Sequence, residues 1–234
     1  MAAALRSVLR GVLALLYEGA SADNPPSSGI GWDPTLSDAN VTFTNNDRTV
    51  EVTSPPGAGQ AYYYVRTASV HSSGRYYFEI VIEAASNGII GALGDQYGIA
   101  VGVIKDSKAV STIGDTDFPG QNNFSAIADG SSSWRWNSGS GGLFSIDWDQ
   151  TGERLGIAID LSAGKMWFRD ASGYNTGDPA TDTSPSITGL TASIDWALMC
   201  MVGANAGDSV KSKLTAAFAS GDWIYGAPAG FSEW

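Results

Sequence analysis

The sequence has few of the side chains from which enzyme and metal sites are most often built. Cys200 is the only cysteine and His71 the only histidine among the 234 residues. A single cysteine excludes a disulfide within the chain and a cysteine-based zinc site, and a single histidine excludes a cluster of histidine ligands. Charged residues are also scarce, at 16 % against the ~25 % of typical domains. We therefore expect neither a metal ion nor another cofactor.

Basic residues are the rarer of the two charged classes. Thirteen Lys and Arg stand against 24 Asp and Glu, which gives a net charge of −11. Because phosphate groups are bound by clustered Lys and Arg, this balance argues against a nucleic-acid partner. No run of ~20 apolar residues is present, so we expect no membrane span.

Motifs for catalysis are incomplete. The run Asp147–Gly152 resembles the first half of a calcium-binding loop, but Ala158 stands at the twelfth position, where such a loop needs a bidentate acid. No Gly-x-Ser-x-Gly motif occurs, and no nucleophile is indicated beside His71. Cys200 lies in an apolar run and is interpreted as a buried core residue. We predict no catalytic residues and a protein that is not an enzyme.

Glycine, by contrast, is abundant, with 29 residues. Short apolar runs alternate with clusters of Gly, Ser, Asn, Asp and Pro, and only the first segment of the chain has a sustained helical period. Strands are predicted over 41–44, 49–53, 62–67, 75–83, 97–103, 124–128, 143–147, 154–160, 165–169, 197–202 and 214–218. Many short strands separated by turns predict an all-β, antiparallel sandwich or barrel.

The predicted strand over 75–83 alternates clearly. Even-numbered apolar residues from Tyr76 to Ile82 should face the core. The opposite face carries Tyr77, Glu79, Val81 and Glu83. Two carboxylates on one face indicate that this face is the wetter one.

A β-hairpin is predicted over 154–169. Strand 154–160 is followed by a short turn that contains Gly164, and then by strand 165–169. Gly156 and Ala158 are small residues on one face of the first strand, which leaves room for a large neighbour such as Trp167.

In this hairpin the sequence resembles the SPRY (B30.2-like) domain family. The supporting segments occur in the family's order and cover roughly residues 32–231: Ser73–Glu79, Tyr97–Val103, Gly152–Phe168, Ala217–Phe218 and Pro228–Phe231. The opening Trp32–Pro34, with Ala39–Phe43, is similar to the start of SPRY-like proteins of bacteriophages and bacteria. The resemblance implies a curved antiparallel sandwich that serves as a binding scaffold without shared catalytic residues. The polar region 104–142 and the loop 170–186 depart from the family pattern, so binding specificity does not transfer from a relative.

The first 22 residues differ from the rest of the chain. Residues 1–17 carry two arginines and no acid, and apolar residues recur at spacings of three and four, which predicts an amphipathic helix. Its predicted docking face consists of Leu5, Leu9, Val12, Leu13 and Leu16. A helix this short is marginal alone, so we expect it to pack on another protein, a second copy or its own domain. A secretory signal or membrane contact is the remaining interpretation. Residues 23–31 are predicted to be a linker, and 32–234 the β domain.

Aromatic residues in polar surroundings are the candidate binding residues. Trp134, Arg135 and Trp136 lie between Gly- and Ser-rich stretches, and Tyr174 lies in the loop 170–186. Trp and Arg are frequent interface anchors, and exposed aromatic rings stack on sugars. The alternative is that a Trp fills the core and the loops only cap the sandwich.

Two functions are consistent with these patterns. The first is a non-enzymatic structural protein of a bacteriophage virion, in which the helix docks on a capsid or tail protein. Its partners are then other virion proteins, in a homo-oligomeric or multi-copy assembly, and the displayed sandwich binds protein or a host surface glycan. The second is a carbohydrate- or peptide-binding module of a secreted or bacterial cell-surface protein. A virion component should need residues 1–22 for assembly, whereas a lectin should bind without them.

Overall fold

The computed structural model describes residues 30–54, 56–84, 99–110, 113, 148 and 151–234, and the backbone of 125–129, 133–136 and 139–143. The predicted helix over 1–22, with its docking residues, lies outside the described residues. So does the predicted linker up to residue 29.

The described residues form fourteen strands and two short 3-10 helices. The strands are β1 (Val41–Thr44), β2 (Thr49–Val52), β3 (Gln60–His71), β4 (Arg75–Ala84), β5 (Ile99–Lys105), β6 (Ser125–Asp129), β7 (Ser133–Trp136), β8 (Gly139–Leu143), β9 (Arg154–Asp160), β10 (Lys165–Asp170), β11 (Gly173–Tyr174), β12 (Ile187–Thr188), β13 (Trp196–Asn205) and β14 (Lys213–Ala217). The 3-10 helices are Pro179–Thr181 and Ser220–Asp222. Within these ranges, no helix has the length and apolar character to span a membrane.

The strands make two sheets. The eight-stranded sheet has the order β1-β2-β14-β4-β9-β10-β11, with β12 also paired to β10. The six-stranded sheet has the order β3-β13-β5-β6-β7-β8. Neighbouring strands pair antiparallel throughout, as in β4 with β9 and β3 with β13. The predicted antiparallel β-sandwich is confirmed.

The main core fills the space between the sheets. On the eight-stranded side, Phe78, Ile80 and Ile82 of β4 are fully buried, as their alternation predicts. On the six-stranded side, Leu198 and Cys200 of β13 belong to the same apolar cluster. Cys200 is a buried free thiol, as predicted.

The β1–β2 hairpin and the predicted β9–β10 hairpin have turn residues that suit them. The β1–β2 turn contains Asn45, Asn46 and Asp47, all with φ between 53° and 60°. Asn and Asp tolerate this left-handed region better than other non-glycine residues. In the β9–β10 turn, Gly164 has φ 67°, and a Cβ there would collide with the Leu190 carbonyl.

The region between β5 and β9 departs from the prediction. The predicted strand 143–147 meets β8 only at Leu143, and its remaining residues lie outside the described part of the chain. The segment Trp134–Trp136, for which no strand is predicted, has the backbone of strand β7 and pairs with both β6 and β8. Pairing with two neighbours satisfies its backbone groups despite the Gly- and Ser-rich flanks.

Candidate functional site

The chain beyond β14 crosses the outer face of the eight-stranded sheet. We call residues 219–234 the C-terminal strap. Beneath it lie the fully buried side chains of Tyr77 and Trp167. Trp223 of the strap meets Tyr77 edge-on with 5.1 Å between ring centroids, and Phe231 meets Trp167 at 6.4 Å. The strap thus gives the sheet a small second core on its outer side.

A buried carboxylate anchors the strap. Glu79 of β4 is 0 % exposed. It accepts hydrogen bonds from three consecutive backbone N–H groups of the strap: Ile224 (2.9 Å), Tyr225 (2.9 Å) and Gly226 (3.2 Å). Converging backbone N–H groups of this kind form an anion-binding concavity. The backbone of the turn 224–226 is therefore held from below by one side chain.

Two further groups complete the surroundings of Glu79. Arg154 of β9 donates from Nη1 to Glu79 Oε2 at 2.7 Å, and the Tyr77 hydroxyl donates to Oε1 at 2.9 Å. Burial, with the neighbouring Glu79 charge, raises the pKa of Tyr77 far above its usual value. Tyr225 ties the strap back to β9, because its hydroxyl donates to the Arg154 carbonyl at 3.1 Å. The carboxylate has the charged and neutral donors that a buried anion requires.

The predicted wetter face of β4 is corrected at Glu79. The alternation is right, since Glu79 and Glu83 point away from the main core. Glu83 is exposed, but the strap buries Glu79 completely. The alternation predicts on which face of the sheet a side chain lies, but it does not predict which segment covers that face.

Cross-strand neighbours extend this site over three more strands. Glu79 of β4 pairs with Gly156 of β9, which pairs with Arg169 of β10, which pairs with Tyr174 of β11. A Cβ on Gly156 would lie 2.7 Å from Arg169 Cγ and still closer to the Tyr77 hydroxyl. The missing side chain leaves the space that these two groups occupy, and Ala158 leaves similar room near Trp167, as predicted.

Arg169 lies between two aromatic rings. Its Cζ is 5.2 Å from the ring centroid of Tyr174 and 4.7 Å from that of Tyr225. Burial raises the pKa of Tyr174 to about 12, with the Arg169 charge opposing the shift. Cation–π contacts at these distances stabilise the positive charge of a guanidinium.

An open cleft of about 520 Å³ adjoins these groups. It is lined by residues 152–154, where β9 begins, residues 170–172, where β10 ends, and Ile224 and Tyr225 of the strap. Ile224 is 72 % exposed, the largest exposed fraction among the large apolar side chains of the described residues. The cleft has the size of a ligand-binding site and combines an apolar, an aromatic and an arginine side chain at its wall.

The predicted binding residues fall on different sheets. Tyr174 lies in β11 of the eight-stranded sheet, half-buried against Arg169. The backbone of Trp134, Arg135 and Trp136 lies in the six-stranded sheet, and their side chains are outside the described part. Their proposed role in binding stays a prediction. No sequence motif marks Glu79, Arg154, Arg169 or the turn 224–226 as a site.

His71 and Cys200 do not form a nucleophile–base pair in the structure. His71 stacks on Tyr76 with 4.3 Å between ring centroids and meets Trp234 edge-on at 4.8 Å, and burial lowers its pKa. Burial raises the pKa of the Cys200 thiol well above its usual value. Among the residues that the structure describes, no three His, Cys, Asp or Glu side chains are placed to hold a metal ion. The cleft beside the strap is therefore the best-defined candidate site.

The sandwich matches SPRY domains of known structure. The SPRY domain of human HERC1 aligns with a TM-score of 0.54 and 15 % identity, over 80 % of this chain and 97 % of that one. The PSpry domain of TRIM65 aligns with a TM-score of 0.52 and 16 % identity, over 80 % and 89 %. No protein-family model and no curated protein matches the sequence. The chain therefore has the SPRY fold, which confirms the fold that the sequence resemblance implies.

Proposed function

We propose that this SPRY-type β-sandwich is a non-enzymatic protein-binding module, and that its partner binds in the cleft beside the C-terminal strap. The observation that carries the proposal is Ile224, which is 72 % exposed although the backbone N–H of the same residue is bound to buried Glu79. An apolar side chain on a fixed backbone loses little conformational freedom when a partner covers it.

The composition of the cleft supports a protein partner. Tyr and Arg are among the side chains most enriched at the positions that dominate binding energy. Tyr225 and Arg154 line the cleft with Ile224. The side chains of Tyr225 and Arg154 are already held in place, by the Arg154 carbonyl and by Glu79. Such a site is largely formed before the partner arrives.

A peptide-selection experiment tests the cleft. Peptides from a random displayed library are selected on the full chain, and their affinities are compared for the wild type, Ile224→Ser and Leu36→Ser. Leu36 is the matched control, because it is also an exposed apolar residue, at 43 %, away from the cleft. We expect Ile224→Ser to weaken binding about tenfold, which is about 1.4 kcal/mol, and Leu36→Ser to leave it unchanged. Failure to select any peptide, or equal effects of the two variants, would contradict the proposal.

We further propose, from the sequence, that the module is attached to a bacteriophage particle through residues 1–22. The support is the apolar stripe Leu5, Leu9, Val12, Leu13 and Leu16 on a segment with two arginines and no acid over residues 1–17, followed by a Pro-, Gly- and Ser-rich linker. The test is light scattering of the chain with and without residues 1–22. We expect the deletion to abolish assembly into larger particles, and unchanged assembly would refute the role of this segment.

A further inference from the structure

Arg169 differs from the other arginines whose side chains the structure describes. Each of the others forms an ion pair with a carboxylate: Arg48 with Asp222, Arg66 with Asp106, Arg75 with Asp160, and Arg154 with Glu79. Arg169 forms no ion pair with any described residue, in a chain that carries 24 acidic residues against 13 basic ones. Because acidic residues are in surplus, an arginine without a carboxylate partner is unexpected in this chain.

The Arg169 guanidinium is poorly supplied with hydrogen-bond acceptors among the described residues. Nη1 donates one long hydrogen bond, 3.4 Å, to the Tyr225 carbonyl. Nε is buried and has no hydrogen-bond acceptor among the described residues. A guanidinium has five N–H donors, and leaving them unmatched in a partly buried place is unfavourable. The two tyrosine rings offset part of the charge through cation–π contacts.

The packing directs Arg169 away from Glu79. The two residues share one cross-strand row with only Gly156 between them, so that a long side chain could reach from one to the other. Instead, Arg154 forms the ion pair with Glu79. The Arg169 guanidinium lies against the ring of Tyr225, a residue that lines the cleft. The two acids at the cleft wall, Glu153 and Asp170, already interact with other groups. The charge that the site leaves unmatched is therefore positive.

We propose that Arg169 receives a carboxylate of the bound partner. This inference rests on the proposed function: the ligand is a protein segment that places an acidic side chain on Arg169 and an apolar side chain against Ile224. A carboxylate can accept two parallel hydrogen bonds from a guanidinium, which is the kind of partner that Arg169 lacks in this chain.

The peptides selected on the full chain test this inference. We expect them to share one Asp or Glu at a fixed spacing from an aliphatic residue. In a synthetic peptide with that consensus, replacing the acid by its amide should weaken binding to the wild-type chain at least tenfold, as measured by fluorescence anisotropy. The same replacement should have little effect on binding to Arg169→Gln, because the charged partner is then already absent.

The two proposals fail in different ways. If selected peptides depend on Ile224 but bind equally well with the acid or its amide, the cleft is the binding site and the role of Arg169 is refuted. If they depend on neither, or if none is selected, the proposed function itself is refuted. The comparison of acid and amide peptides on the wild type remains decisive if Arg169→Gln does not fold. Arg169→Lys, which keeps the charge but not the paired donors, should show an intermediate loss of affinity.

Discussion

Removing the Glu79 carboxylate should detach the strap and destabilise the sandwich. Glu79→Ala deletes the acceptor of five hydrogen bonds, one of them from Arg154. Breaking a buried ion pair by removing one partner costs about 3–5 kcal/mol. Because the Arg154 side chain retains 20 % exposure, water can solvate part of the stranded charge. We therefore expect a loss of about 3 kcal/mol at the low end of that range, or a fall in Tm of roughly 6–12 °C for a domain of this size.

Chemical unfolding followed by circular dichroism measures this loss, and hydrogen exchange shows where it arises. Amide protons of residues 224–226 should lose protection, since Glu79 is their acceptor. Glu83→Ala is the matched control, because Glu83 is an exposed acid on the same face of the same strand. A loss below about 1 kcal/mol, or one equal to that of Glu83→Ala, would refute the anchoring role. A double-mutant cycle with Arg154→Ala should show strong coupling, because both variants break the same pair.

Three further predictions concern packing and titration. Gly156→Ala should destabilise the fold by about 1–3 kcal/mol in urea unfolding, since the new Cβ would overlap the Tyr77 hydroxyl. The control Gly221→Ala should leave the stability unchanged, because there is open space around Gly221. Equal losses of stability in the two variants would contradict this explanation. Burial lowers the pKa of His71 below its ordinary 6.5, so the unfolded chain takes up the proton first as the pH falls. The free energy of unfolding should therefore decrease as the pH falls from about 6.5 towards the pKa of the folded state. His71→Phe should show a smaller decrease than the wild type over that range, and identical pH profiles would contradict this. Cys200 should react with a thiol reagent at pH 8 only after unfolding, because burial raises its pKa; rapid labelling of the native chain would show that the thiol is accessible.

Local sequence patterns predict the parts of the fold that local contacts build. The hairpin of β9 and β10 follows from β-branched and aromatic runs joined by a turn with Gly164, and the structure has it in the predicted place. The small residues Gly156 and Ala158 also predict a large neighbour, and Trp167 and the Arg169 stem occupy that space. Such signals lie within about fifteen residues of one another, so they can be interpreted without knowing the rest of the fold.

Strands β7 and β8 could not be predicted from local sequence patterns. Glycine and serine dominate β8 and the flanks of Trp134–Trp136, and these residues have low strand propensity. The strands exist because β6 offers an edge to which β7 can pair, which is information from another part of the chain. Tertiary pairing thus overrides local propensity here.

The candidate site depends on an equally distant contact. A single acid in the middle of the apolar strand 76–82 is the one local signal for Glu79, and its natural interpretation is an exposed face. Its actual partners, the backbone amides at 224–226, lie about 145 positions later in the chain. One sequence contains no pattern that connects the two segments, and the strap itself has no helix or strand periodicity.

The way Glu79 holds the strap bears on how this domain can acquire new partners. The carboxylate binds backbone N–H groups, which every amino acid except proline provides, and it makes no demand on the side chain at position 224. Substitutions of Ile224 are therefore expected to alter recognition while leaving the conformation of the turn unchanged. In such a domain, one residue fixes the backbone and another contacts the ligand. A single substitution at position 224 can then change the ligand at little cost in stability.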